Sequence, residues 1–166
     1  MEHKLTTHIP VTYEGAGKNI VIITLIVGTL DALGAMLVYR ADPVKLFQFI
    51  ASGAFGVEAF SGGLKMALFG MSFHYLIALT WTSLFFFMYP ALSVLRKNKY
   101  IMGLLYGMFV WIVMNEIILP WSKIPQSPFN LKSALIGASI LIVMVGLPIS
   151  LLTTLYYNKG KSRKSL

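Results

Sequence analysis

The sequence contains no cysteine and has few charged residues. Charged residues make up 12% of the 166 residues, and hydrophobic residues make up 57%. The absence of cysteine excludes disulfides, thiolate metal ligands and cysteine nucleophiles. Because a soluble domain carries about 25% charged residues, this composition is typical of an integral membrane protein.

Acidic residues are especially scarce. Six Asp and Glu stand against fourteen Lys and Arg, which gives a formal net charge of +8. The basic residues lie in short connections and near the C-terminus, and they form no basic face on a soluble domain. We therefore expect membrane lipid, and no nucleic acid, as a partner.

Long apolar runs are what the chain has in abundance. A helix needs about 20 residues to cross a hydrocarbon core roughly 30 Å thick. The runs predict four transmembrane helices at about 20–39, 64–90, 100–121 and 131–157, between a cytoplasmic tail at 1–19 and a basic cytoplasmic tail at 158–166. The first run exceeds the length of a signal-peptide core, about 7 to 15 residues, so we expect it to remain as a helix.

A shorter helix is predicted between the first two spans. Asp42 can cap it and Pro43 can occupy its first turn. Val44, Phe47 and Ile50 then recur at helical spacing in a run too short to cross a bilayer. The predicted fold class is therefore an all-α membrane protein of four transmembrane helices with a short interfacial amphipathic helix between spans 1 and 2.

The distribution of Lys and Arg predicts the orientation. Nine of these residues lie in the N-terminal tail, the 93–99 loop and the C-terminal tail, and five lie on the opposite side. Since Lys and Arg favour the cytoplasmic side, both termini are predicted to be cytoplasmic.

Four polar residues inside the spans are the candidate site. By helical rise, Asp31 and His74 lie near the midplane, and Asn115 and Glu116 lie closer to the outer surface. An aspartate at this depth costs about 2.5 to 3.5 kcal/mol on insertion scales, so it usually faces a partner or a wet cavity. We predict that Asp31 and His74 form a polar pair.

Three interpretations of these residues compete. They can hold the helices together by hydrogen bonds, or they can form a pathway for a proton or a small solute. The transport interpretation favours a homodimer, because four helices enclose little volume. In the third interpretation the protein is an intramembrane enzyme using Asp31, His74 and Glu116, or binds heme through His74, although the sequence has no catalytic motif and no CxxCH.

No metal site and no cofactor are predicted. His3 and His8 lie in the N-terminal tail and are interpreted as solvated residues, because a transition-metal site generally needs three or four ligands.

Glycines and aromatic residues complete the pattern. Small residues let transmembrane helices approach closely, so four glycines are predicted to lie at helix contacts: Gly28, Gly103, Gly107 and Gly137. Most of the aromatic residues of spans 2 and 3 are expected to contact lipid or the membrane interface: Trp81, Phe85, Phe86, Phe87, Tyr89, Trp111 and Trp121.

Three stretches carry a resemblance to known proteins. They are GTLDALGAMLVYRADPVKLFQFIASGAFG, the span that holds His74 and ends in FFFMYPAL, and GLLYGMFVWIVMNEIILPW. Together they resemble small bacterial four-helix integral membrane proteins of unknown function, and they are similar to the YagU-like inner-membrane proteins. The resemblance implies a bacterial inner-membrane location and no known activity.

Overall fold

The computed structural model describes residues 15–125 and 128–162, and side chains as far as Asn158. Most of the predicted N-terminal tail, with His3 and His8, and the last residues of the C-terminal tail lie outside these ranges. The described residues form two short 3-10 helices, Gly56–Phe60 and Ser93–Arg96, and five longer helices: α1 (Ala16–Tyr39), α2 (Pro43–Phe55), α3 (Gly63–Ala91), α4 (Lys99–Trp121) and α5, which runs from Leu131 to Asn158 and continues to Ser162.

Four of the five helices are long and apolar enough to cross a membrane. The mean hydropathy over their central windows is 2.3 in α1, 1.3 in α3, 1.8 in α4 and 2.5 in α5. The shorter α2 lies between the first and second of them, and the described ranges contain no strand. The predicted fold class is confirmed, and the chain is a multi-pass membrane protein.

The short helix α2 begins as the sequence predicts. The Asp42 side chain accepts a hydrogen bond from the Lys45 backbone N–H at 3.1 Å, and Pro43 occupies the first helical turn. The cap satisfies a backbone donor that has no partner within the helix.

The helix α2 packs closely on α3. A Cβ added to Gly70 of α3 would overlap the carbonyl oxygen of Phe47, and the Gln48 side chain donates to the Gly63 carbonyl at 3.0 Å. Backbone therefore lies against backbone where the two helices cross.

Two of the long helices contain a π-helical stretch, Val113–Ile118 in α4 and Leu141–Gly146 in α5. In α5 this stretch packs against α4, where added Cβ atoms on Gly103 and Gly107 would lie 3.1 Å from the Gly146 oxygen and 2.5 Å from the Ile142 Cα. Stretches of this kind are rare and frequently occur at functional sites.

The expectation that most of the aromatic side chains contact lipid is wrong for the C-terminal half of α3. Phe85, Phe86 and Tyr89 are only 1%, 0% and 3% exposed. Their rings pack against Tyr106 of α4 and Tyr157 of α5, with centroids 4.7 to 5.2 Å apart. These residues form the core between the helices, whereas Phe87 and Trp121 are exposed as expected.

Candidate functional site

A cavity of about 480 Å³ lies among all five helices. We call the end of the bundle at which α1 and α4 finish, and α3 and α5 begin, the upper end; the cavity occupies the half toward that end. Its wall is mostly apolar, with side chains such as Ile50, Ile77, Val110, Met114 and Val145, and it includes three of the four polar residues predicted as a site: Asp31, His74 and Asn115.

Asp31 contributes a carboxylate to the cavity from α1. The residue is half-buried and interacts electrostatically with His74. Within the described part of the chain, its carboxylate oxygens make no hydrogen bond and no close ion pair. Asp31 is therefore a titratable group in a mostly apolar cavity, and no described residue makes a hydrogen bond to it.

His74 contributes an imidazole from α3. Its Nε2 lies 2.8 Å from the carbonyl oxygen of Gly28 on α1. Because a carbonyl only accepts, Nε2 must carry a proton and donate it, and in the neutral ring Nδ1 is then an acceptor. The ring also packs against Phe47 and Tyr75, with centroids 5.9 and 5.4 Å away. Its orientation is thus fixed by contacts from α1, α2 and α3.

Asn115 contributes an amide from the π-helical stretch of α4. Its Nδ2 donates to the Trp111 carbonyl at 2.9 Å, within the same helix, and its Oδ1 remains an acceptor. Both π-helical stretches supply lining residues, since Met114 and Asn115 come from one and Leu141 and Val145 come from the other.

The structure does not bring Glu116 into this group. Its side chain is exposed and does not line the cavity. Met114, Asn115 and Ile118 belong to the face of α4 that lines the cavity, and Glu116 lies outside that face.

The predicted packing glycines lie at helix contacts of differing closeness. A Cβ on Gly28 would lie 2.8 Å from the Tyr75 ring of α3, and the contacts of Gly103 and Gly107 with α5 are equally close. Gly137 is looser, because its Cβ would lie 3.3 Å from the indole nitrogen of Trp111. The sequence analysis did not single out Gly70 or Gly146, which make the closest backbone contacts of all.

The upper side of the cavity is covered by α2 and the turn after α4. The Lys123 backbone N–H donates to the Gly53 carbonyl at 2.9 Å, which ties the turn to the end of α2. Ile50, Gly53 and Ala54 of α2, and Ser122 and Ile124 of the turn, are all lining residues. The sequence analysis missed their role; the glycine among the apolar positions near the end of α2 was the available signal.

A larger depression of about 620 Å³ lies elsewhere, on the surface of α3. A single helix lines it, between Leu79 and Ala91, and the Thr80 hydroxyl there already donates to the Leu76 carbonyl. Because this depression is lined by one helix and has no charged side chain, we take the cavity lined by all five helices as the candidate site.

The described residues contain no group of three or more His, Cys, Asp or Glu side chains that could hold a metal ion. His74 is the only histidine among these residues, and its Nε2 is engaged by Gly28, so heme ligation through that nitrogen would require breaking an interhelical hydrogen bond.

Comparison with known proteins gives no relative from which a function can be inferred. No protein-family model matches the chain, and no curated protein or solved structure matches it either. What can be inferred about its function therefore rests on the cavity and the residues that line it.

Proposed function

We propose that this multi-pass membrane protein is transport-related, and that its cavity is an intramembrane site through which protons pass, alone or with a small solute. We further propose that it belongs with the small, YagU-like proteins of the bacterial inner membrane, with both termini in the cytoplasm. Titratable residues inside transmembrane helices commonly mark such pathways.

The uncompensated carboxylate of Asp31 is the observation that carries the proposal. If the polar residues served only to join helices, each should make an interhelical hydrogen bond. Among the described residues only His74 does so, because the amide of Asn115 bonds within its own helix and no described residue makes a hydrogen bond to Asp31. A costly charged group that adds no helix contact is better explained by a ligand or a proton that it binds.

The enclosure of the cavity also supports the proposal. The four long helices of a single chain were expected to enclose little volume, but α2 adds a fifth wall. One chain therefore supplies a complete cavity, although the homodimer remains a prediction.

The test is proton flux into vesicles. The full-length protein is reconstituted in liposomes that contain a pH-sensitive dye, and a potassium gradient with valinomycin makes the interior negative. We expect protein-dependent acidification that is lost in Asp31→Asn and retained in Glu116→Gln, which removes an exposed carboxylate outside the cavity.

Folding is checked by circular dichroism and size-exclusion chromatography of both variants. Wild-type vesicles that acidify no faster than empty ones would contradict the proposal, as would a folded Asp31→Asn variant with undiminished flux. Loss of folding in Asp31→Asn would instead assign the carboxylate a structural role.

A further inference from the structure

The polar atoms that the cavity leaves for a ligand are mainly acceptors. When it is ionised, the carboxylate of Asp31 only accepts hydrogen bonds, and no described residue donates to it. A ligand that meets this carboxylate must bring hydrogen-bond donors.

The other polar side chains have already used donors on the protein. His74 donates its Nε2 proton to the Gly28 carbonyl, and Asn115 donates an amide proton to the Trp111 carbonyl. What remains is Nδ1 of His74, which is an acceptor when the ring is neutral, and the amide Oδ1 of Asn115, which is an acceptor, with the second amide proton as a donor. The Ser122 hydroxyl is committed twice, since it donates to the Leu119 carbonyl and accepts from the Ile124 N–H.

The wall of the cavity has one acidic residue, Asp31, and no Lys or Arg of the described chain; His74 is its other titratable group. A carboxylate in an apolar cavity is stabilised most by an opposite charge in direct contact. The same wall contains the aromatic residues Phe49, Phe73 and Trp81, a type of side chain that can also attract a cation.

We propose that the solute of this cavity is a lipophilic amine in its protonated form, an ammonium group with N–H donors on a compact hydrophobic body. This rests on the proposed function, because the ammonium ion is the solute of the same site. The ammonium pairs with Asp31 and donates to the acceptors of His74 and Asn115, while the hydrophobic body contacts the apolar wall. A volume of about 480 Å³ is within the usual range of small-molecule sites, about 300 to 1,000 Å³.

The experiment is equilibrium binding of four adamantane derivatives that share one hydrophobic body. Radiolabelled adamantylammonium is measured on the full-length protein in nanodiscs, and empty nanodiscs correct for partition into lipid. The trimethylammonium analogue keeps the charge without N–H donors, adamantanol keeps a donor without the charge, and adamantanecarboxylate reverses the charge.

We expect saturable binding of adamantylammonium, at least about tenfold weaker binding of the trimethylammonium analogue and of adamantanol, and no saturable binding of the carboxylate. Asp31→Asn should weaken binding of the ammonium by at least about tenfold, whereas the matched Glu116→Gln should leave it unchanged. Equal binding of the alcohol, binding of the carboxylate, or no binding of the ammonium would overturn the ligand class. Because the wild-type series alone decides this, a failure of Asp31→Asn to fold does not impair the test.

The result separates this inference from the transport proposal. Vesicles that conduct protons although the protein binds no adamantylammonium overturn the ligand class and leave transport standing. Saturable, Asp31-dependent binding of adamantylammonium by a protein that moves no protons overturns the transport proposal and leaves the ligand class standing.

Discussion

A disulfide between α2 and the turn after α4 should form readily in this chain. A Cβ added to Gly53 would lie 3.8 Å from the Cβ of Ser122. Disulfides have Cβ atoms about 3.5 to 4.5 Å apart, with a mean near 3.8 Å. The double variant Gly53→Cys/Ser122→Cys should therefore oxidise without moving either segment, since Gly53 also has an ordinary negative φ that cysteine can adopt.

The expected gain in stability follows from the length of the closed loop. Residues 53 and 122 enclose about 70 residues, for which the chain-entropy relation gives roughly 4 kcal/mol. Replacing Ser122 also removes its hydrogen bonds to Leu119 and Ile124, but that cost of about 1 kcal/mol is present in both the oxidised and the reduced variant and cancels between them. An unfolded state in detergent that keeps its helices reduces the gain, so we expect about 1 to 3 kcal/mol between the oxidised and reduced forms.

The absence of native cysteine makes the assay clean. After mild oxidation, a maleimide-polyethylene glycol reagent that adds a visible mass to each free thiol should fail to label the double variant until a reductant is added. The control pair Gly17→Cys/Gly53→Cys should stay labelled, because a Cβ at Gly17 has no neighbour within 4 Å. Full labelling of the Gly53/Ser122 pair, or equal protection of the control pair, would show that α2 does not cover the cavity as described.

Two further substitutions test the packing. Gly70→Ala places a Cβ 2.6 Å from the carbonyl carbon of Phe47, so α2 must shift by about 0.8 Å or more. We expect the free energy of unfolding in detergent to fall by about 1 to 2 kcal/mol. The control Gly17→Ala has open space around its Cβ and should be neutral or slightly stabilising, and equal effects of the two substitutions would contradict the close contact. Thr82→Val should be neutral or raise the free energy of unfolding by about 1 kcal/mol, because the buried Thr82 hydroxyl has no hydrogen-bond partner among the described residues. The control Thr154→Val should be destabilising, because it removes a hydroxyl that donates to the Ser150 carbonyl at 2.7 Å. The reverse order of stabilities would show that the Thr82 hydroxyl is hydrogen-bonded.

The fold class could be predicted because its determinants are local. The length and composition of four apolar runs are sufficient for four long helices, and Asp42 before Pro43 is sufficient for the start of α2. Neither feature depends on what the helices contact.

The inside and outside of the helix bundle could not be predicted in the same way. Lipid is as apolar as a packed interior, so composition does not distinguish the buried Phe86 from the exposed Phe87. The contact of Gly70 with α2 could not be predicted for a related reason, since a glycine permits the close approach of another helix but does not indicate which helix approaches.

The membership of the site was predictable only in part. Counting residues along the helices placed Asp31 and His74 at similar depth, and both line one cavity. Counting residues could not show which of Asn115 and Glu116 faces the cavity, because that depends on how α4 is rotated about its axis. No sequence signal indicated the π-helical stretch in which both residues lie. The hydrogen bond of His74 to the Gly28 carbonyl could not be predicted either, because every residue has a backbone carbonyl and the sequence does not indicate which one accepts.

The position of Asp31 along the chain has a consequence for biosynthesis. The carboxylate is made first, and the residues that share its cavity, His74 and Asn115, follow 43 and 84 residues later. While the chain is synthesised and inserted in order, α1 enters the bilayer before α3 and α4 exist to enclose that carboxylate. The apolar residues of α1, which has a mean hydropathy of 2.3, therefore have to outweigh the cost of inserting Asp31, about 2.5 to 3.5 kcal/mol, before the other helices are in place.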